Sequence, residues 1–422
     1  MKILYLAPIG TQSSMLAAYT FLDDEIRWLA DCGLEMFVFS HPESDRTAVS
    51  ENGQVRLLPL APAKSGTGAL AAVKAVAMIW KLRRLLPARW WASAFDLWRA
   101  ARIEQLVADS VREQEIDLIH SNFGWPNGLG GVLAKATTGV PLVATFRGMD
   151  LLADQRIAYG RRLKPNFDAA VRVLLKNADL TNHVSQFMRE RAIELGADPN
   201  SATVVRKGVN CQIFGACAAS DSRNAPCPTI LTVASLIKRK GIDTIMRALS
   251  LLADSHDFSL IIVGVGPELK PLQALSESLS IAHRTSFVGQ VTRDRIASFF
   301  SACDIFVLGS VLEASGNVLL EAMASERPVI CTDSGGPPEY VADGDTGFVV
   351  PQDNPAAMAE KLEMLLESPE LLKHMGNQGR KRALEHFTHH RMVNEIVATY
   401  ERALSHSDVS HNSTSDYASM RV

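Results

Sequence analysis

The stretch IFVLGSVLEASGNVLLEAMASERPVICTDSGG, residues 305–336, reads as strand, loop, helix and strand. A short apolar run ends near Leu308, a polar loop follows, and a helical pattern begins around Gly316–Val318 and runs through Ala324. Val329–Cys331 is then a second apolar run of strand type. Two buried strands joined by a helix belong to a parallel sheet covered by helices.

The same alternation extends in both directions. Ahead of this stretch lie strand candidates Ile230–Val233, Leu260–Val263 and Ser286–Val288, separated by helical patterns Ile242–Leu252, Pro267–Ser278 and Arg293–Ser301. Nearer the N-terminus come strand candidates Ile3–Ala7, Met36–Ser40, Leu118–Ser121, Leu142–Phe146 and Leu180–Val184, with a helix over Phe21–Asp31. Each half therefore reads as one doubly wound α/β unit. At 422 residues the chain is too long for one core and fits two domains. We place them at 1–213 and 228–385, joined by a small, polar linker at 214–227. A helix at 386–404 follows, and 405–422, rich in Ser, His, Asp and Asn, reads as a disordered tail.

Forty-three basic side chains against 46 acidic ones give a net charge of −3, which argues against a nucleic-acid partner. The six cysteines form no C-x-x-C pair and no zinc-type cluster with histidine. Leu118–Ala134, a long charge-poor run, is broken by Pro and Gly, so no transmembrane helix is expected there. These features suggest a cytoplasmic protein. Residues 68–102 stand apart, with four of the six tryptophans and seven basic residues against one acid. Two readings stay open there: a helical insertion packed on its own domain, or a peripheral contact with anionic lipid at the inner face of a membrane.

Ligands bind open α/β sheets at the carboxyl ends of their strands, so the loop after Leu308 is a candidate site. Ser315 and Gly316 sit where a helix start leaves backbone N–H groups unpaired, a ready anion site. Glu313 precedes that helix, and Glu321 lies one to two turns inside it. Two carboxylates flanking a phosphate site make sense if they grip hydroxyls instead of the phosphates. Taken alone, an E-x7-E spacing is more often a loop acid and a solvent-side helix acid.

The combined stretch resembles the family 4 retaining glycosyltransferases, whose E-G-x-G-x-x-x-x-E-A motif appears as Glu313-Ala314-Ser315-Gly316 through Glu321-Ala322. Thr229–Leu249 is similar to that family's strand, basic loop and helix, with Lys240-Gly241 in its Lys-Gly position and Ser235 in place of the usual arginine. The resemblance implies a GT-B architecture, two Rossmann-like domains facing a central cleft, with acceptor in the first and donor in the second. It implies that Glu313 faces the donor sugar, Glu321 the ribose, and Lys240 the diphosphate, with Ser235 in the same loop. The amides of Gly316, Asn317 and Val318 would hold the β-phosphate. Glu313 and Lys240 are the catalytic candidates.

On the acceptor side the candidates are Gly10, after the first strand, His120 in DLIHSNFG, and Arg147 in VATFRGMD. Family members commonly carry histidine at the position of Arg147, and arginine cannot act as a base. Asp150 after Gly148 reads equally as a helix N-cap.

The implied reaction is metal-independent, retaining transfer of a hexose-type sugar from a UDP- or GDP-linked donor to a saccharide or lipid-linked acceptor, in surface polysaccharide synthesis. No cofactor is implied. Two other readings share the motifs: a nucleotide-sugar 2-epimerase, and a non-catalytic partner subunit that binds sugar nucleotides.

Overall fold

The computed structural model describes residues 1–6, 20–40, 54–59, 94–215 and 227–418. Contacts among residues divide the chain into two compact units. The first comprises 1–184, 188–205 and 393–422, and the second 185–187 and 206–392.

In the first unit seven strands form one parallel sheet, in the order β3-β2-β1-β4-β5-β6-β7. They are β1 Lys2–Leu6, β2 Glu35–Ser40, β3 Val55–Pro59, β4 Leu118–Asn122, β5 Leu142–Phe146, β6 Leu180–His183 and β7 Ala202–Val204. The helices between them are α1 Thr20–Asp31, α2 Ala94–Gln114, α3 Leu129–Thr138, α4 Pro165–Asn177 and α5 Gln186–Glu194. Every residue of β4, β5 and β6 is buried, as central strands covered on both faces must be.

After the short helix α6, Cys211–Gly215, the second unit repeats the plan with six parallel strands. Their order is β10-β9-β8-β11-β12-β13, with β8 Thr229–Val233, β9 Ser259–Val263, β10 Thr285–Gly289, β11 Ile305–Leu308, β12 Val329–Thr332 and β13 Gly347–Val350. The helices are α7 Ile242–Ser250, α8 Leu269–Ser278, α9 Arg293–Ala302, α10 Asn317–Ala324, α11 Pro355–Glu367 and α12 Pro369–His386. Successive side chains of a strand point to opposite faces, and the sheet sorts them accordingly. Ile230, Ile305 and Val307 enter one core with Ile245, Leu249 and Met358. Leu231, Phe306 and Leu308 enter the other with Phe300, Leu319 and Met323. Each fully buried side chain of this kind contributes roughly 1.5–3 kcal/mol of transfer free energy.

The last helix, α13, is His389–Ala418, and its part from Val393 onward belongs to the first unit. It outruns the 386–404 read from the sequence and carries helix into the segment read as a disordered tail. Ser, His and Asn lower helix propensity only by tenths of a kcal/mol each, so composition alone does not end a helix already nucleated. Residues 216–226 of the proposed linker lie outside the described residues, as do 68–93, most of the Trp- and basic-rich stretch. Residues 94–102 of that stretch form the start of α2. Among the described residues no helix is long and apolar enough to cross a membrane, and no disulfide links the five described cysteines.

Candidate active site

In each sheet the strand order reverses beside the first strand of the unit, between β1 and β4 and between β8 and β11. Connections leave these neighbours in opposite directions, which opens a crevice at the carboxyl ends of the strands. In the second unit the two loops at that crevice are 234–241, after β8, and 309–316, after β11.

The loop after β8 closes in a single 3₁₀ turn, Lys238–Lys240, ended by Gly241 at φ 56°. A Cβ at Gly241 would lie 1.9 Å from the Gly309 carbonyl oxygen, so glycine is needed both for the left-handed backbone and for the close approach of the two loops. Val311 N donates to the Arg239 carbonyl at 2.9 Å, tying the loops together. Of the three consecutive cations, Lys238 is exposed, whereas Arg239 and Lys240 turn inward to one carboxylate. Arg239 Nη1 donates to Glu313 Oε2 at 3.0 Å and to the Leu312 carbonyl at 2.5 Å. Lys240 Nζ donates to the same Glu313 oxygen, as does Ser310 Oγ at 3.3 Å. The backbone of Glu313 is fixed as well, donating to Ser334 O at 2.8 Å and accepting from Gly336 N at 3.0 Å.

Burial alone would push the Glu313 carboxyl upward, but Lys240 and then Arg239 overcome it and hold it at about 2. Lys240 is displaced downward even so: burial disfavours its charge, Glu313 opposes this, and Arg239 adds to it. The two displacements are consistent, because two cations share one carboxylate and repel each other across it.

Three residues past Glu313, Gly316 takes φ 125° and starts α10, with no side chain capping that end. Asn317 and Val318 are its first residues, so their amides face the same loop cluster. Glu321 is partly buried within the helix. Ser235 stands exposed earlier in the loop. The structure therefore gathers Lys240, Glu313, Gly316, Asn317 and Val318 at one strand edge, and brings Arg239 to them. Nothing in the sequence distinguishes Lys238 from Arg239, since consecutive residues of a loop give no direction.

Among the described residues, metal-ligand chemistry lies elsewhere. His256, Glu363 and Glu367 form a group of suitable type, but His256 precedes β9, at the opposite, amino edge of the sheet. The chain's D-x-D spacing, Asp343-Gly344-Asp345, precedes β13 at that same edge, and its first carboxylate accepts from Val349 N at 2.9 Å.

In the first unit the corresponding edge is differently filled. Arg147, just past β5, donates through Nη2 to Glu25 Oε1 at 2.5 Å and Asn122 Oδ1 at 2.6 Å. Tyr5 Oη donates to the same Glu25 oxygen at 2.7 Å. Arg147 and Glu25 side chains are 5% and 1% exposed, so the guanidinium is spent inside the unit. His120 is fully buried, with Nδ1 2.6 Å from Tyr400 Oη and Nε2 2.8 Å from Thr145 Oγ1. Both ring nitrogens are engaged, which makes His120 a satisfied core histidine in this structure and corrects its reading as a residue lining the site. Asp150 is not a helix N-cap, because the chain continues in a turn, with Leu151 N and Leu152 N donating to Gly148 O. Its carboxyl is buried and one oxygen has no hydrogen-bond partner. Burial pushes it up to about 6, against the pull of Arg161, the Gly124 amide and Arg147. Gly10 lies outside the described residues.

Comparison with known proteins fits both units. Residues 220–382 match the family described as glycosyl transferases group 1, and residues 20–208 the glycosyl transferase 4-like domain. The chain is 26% identical over 306 residues to N-acetyl-alpha-D-glucosaminyl L-malate synthase of Bacillus anthracis, covering 70% of this chain and 77% of that protein. It is 28% identical over 302 residues to the GDP-mannose-dependent alpha-(1-6)-phosphatidylinositol monomannoside mannosyltransferase of Mycolicibacterium smegmatis, covering 68% and 76%. Among solved structures, Anabaena HepE in complex with UDP-glucose superposes with a TM-score of 0.71 at 20% identity, covering 95% of this chain and all of that one.

Proposed function

The chain belongs to the glycosyltransferases that pair a 4-like domain with a group 1 domain on the two-Rossmann GT-B fold, and from that premise we propose that it transfers a hexose-type sugar, with retention, from a UDP- or GDP-linked donor. The observation that carries the reading is the meeting of Lys240 and Glu313 in front of the α10 N-terminus, at the switch point of the second sheet. In this reading the amides of Gly316, Asn317 and Val318, the helix dipole and Lys240 bind the diphosphate. As the sugar–phosphate bond breaks, charge grows on the leaving diphosphate, and a fixed cation is strongest at that moment. Glu313 addresses the sugar hydroxyls, and Glu321 the ribose. The chemistry proceeds without a metal. The acceptor is a saccharide or a lipid-linked glycan of a surface polysaccharide, with residues 68–102 as the peripheral membrane contact.

Relatives whose names specify GDP-mannose and a neighbour bound to UDP-glucose support a nucleotide-sugar donor and leave the base between uracil and guanine. Thermal-shift screening against UDP- and GDP-sugars, followed by product analysis with a saccharide panel, tests the reading. A specific donor raises the transition by mass action, and transfer persists in EDTA with the anomeric configuration kept. Failure of every donor to shift the transition would overturn the proposal. Conversion of donor without acceptor would identify an epimerase, and binding without turnover on any acceptor a silent partner subunit.

A further inference from the structure

We infer that His256, Glu363 and Glu367 hold a divalent metal ion of the zinc class at the amino edge of the second sheet, fastening the end of α11 to the loop that follows α7. Their ligand atoms, an imidazole nitrogen and two carboxylate oxygens, all lie within 4.8 Å of one another. His256 Nε2 and Glu367 Oε1 are 3.6 Å apart, too far for a hydrogen bond. Two ligands of one tetrahedral ion, each about 2.0–2.2 Å from it, stand about 3.3–3.6 Å from each other. The spacing is that of two ligands with an ion between them. The site lies at the edge opposite Glu313 and Lys240, and is independent of the chemistry proposed there.

Helix geometry brings the two carboxylates together. Glu363 and Glu367 are four positions apart and share one face of α11, while Met358, Leu362 and Leu365 turn to the core. They stand at the end of the helix, where its dipole is negative and its last turn has no basic residue. The nearest lysine in sequence, Lys361, pairs with Glu360 instead. Like charges so placed repel each other and the helix end, and a cation between them reverses both effects.

The histidine is held ready for the same ion. Its amide donates to Leu252 O at 2.9 Å, and its carbonyl accepts from Arg284 Nη1 at 2.7 Å. Ser255 Oγ donates to Leu252 O at 3.3 Å, which leaves its lone pairs to His256 Nδ1, 2.9 Å away. Nδ1 then carries the proton, and Nε2 turns a lone pair toward Glu367. A lone pair and a carboxylate repel, whereas a metal ion between them binds both. A hydrogen bond from the other ring nitrogen, as here to Ser255, is what orients a metal-binding imidazole. The nitrogen ligand favours zinc-like ions over calcium and magnesium, which take oxygen.

Isothermal titration of the full chain, stripped with EDTA and dialysed, with ZnCl2 tests this, with CaCl2 and MgCl2 as controls. Wild type should bind zinc at a site that His256→Ala and Glu363→Gln each weaken by about tenfold or more. Zinc should also raise the thermal transition of wild type and not that of either variant. Calcium and magnesium should bind at least about tenfold more weakly. If wild type takes up no zinc at roughly 100 µM, the inference is overturned, and His256 and Glu367 form a plain ion pair. If both variants bind as wild type does, it is overturned as well, and the zinc sits on other histidines or cysteines. Calcium binding as tight as zinc overturns the part of the imidazole. Should His256→Ala fail to fold, Glu363→Gln decides alone: lost affinity supports the site, and wild-type affinity overturns it.

Discussion

The two units bury a carboxylate beside arginine at the same edge of the same kind of sheet, yet balance it differently. In the first, Glu25 and Arg147 stand one to one, and Tyr5 and Asn122 share in the same hydrogen-bond cluster. In the second, Glu313 stands against two cations, Arg239 and Lys240, near an uncapped helix start. The first arrangement sets one guanidinium against one carboxylate in direct contact. The second is open, with one more cation than anion meeting at the shared oxygen. Two Rossmann-like units with similar topology are thus told apart by counting charges at the switch point.

The closed pair gives the largest expected effect. Glu25→Ala leaves the Arg147 guanidinium buried without its carboxylate, and should cost roughly 3–5 kcal/mol, read as a fall in the urea midpoint of the first unit. Glu25→Leu combined with Arg147→Met should recover most of that loss, because an apolar pair of similar size replaces a balanced one. If Glu25→Ala costs less than about 1 kcal/mol, the guanidinium has found water, and the two sites differ less than their geometry says.

Much of this was legible beforehand, and the pattern of misses has a physical cause. Ten strands read from apolar runs are present, with ends shifted by a residue or two. Among the described residues the three missed, β3, β7 and β13, are all edge strands. An edge strand pairs on one side only and needs less apolar surface, so VRLLP and ATV carry too weak a signal. The candidate site of the second unit could be proposed from sequence because strand end, loop, helix start and both acids lie within the single stretch 305–336. The Glu25–Arg147 pair was not, since its members are 122 positions apart and only the sheet order unites them. The same distance in sequence hid the burial of His120 under Tyr400, 280 positions away.

A second test uses titration to sharpen the contrast. Asp150 feels the pull of Arg147 and Arg161, but burial wins, holding it at about 6. Two cations in contact hold Glu313 at about 2. For Asp150 the folded value is raised above the unfolded one, near about 3.9. Its contribution is therefore fully present below pH about 4, and is lost as pH rises through about 6. Asp150→Asn removes the titration. The stability of the Asp150→Asn variant relative to wild type should rise by about 2–3 kcal/mol between pH of about 4 and about 7.5, measured by urea unfolding at each pH. A constant difference across that range would mean that the carboxyl reaches solvent.

The smallest effect concerns what the open site prefers among anions. Two cations and a helix start would bind any compact polyanion, pyrophosphate included. Glu321 repels phosphate and can serve only as an acceptor for hydroxyl groups, so its worth should appear with nucleosides alone. Glu321→Ala should weaken UDP or GDP binding by roughly 1–3 kcal/mol, the range for a charged hydrogen bond, and leave pyrophosphate affinity unchanged or slightly improved. The paired titration separates the two roles, because a collapsed helix α10 would weaken both ligands together. Equal losses would place Glu321 in the fold of the helix and leave the ribose without a partner there. Unchanged affinity for both would remove Glu321 from the site, and the open unit would then discriminate by charge alone.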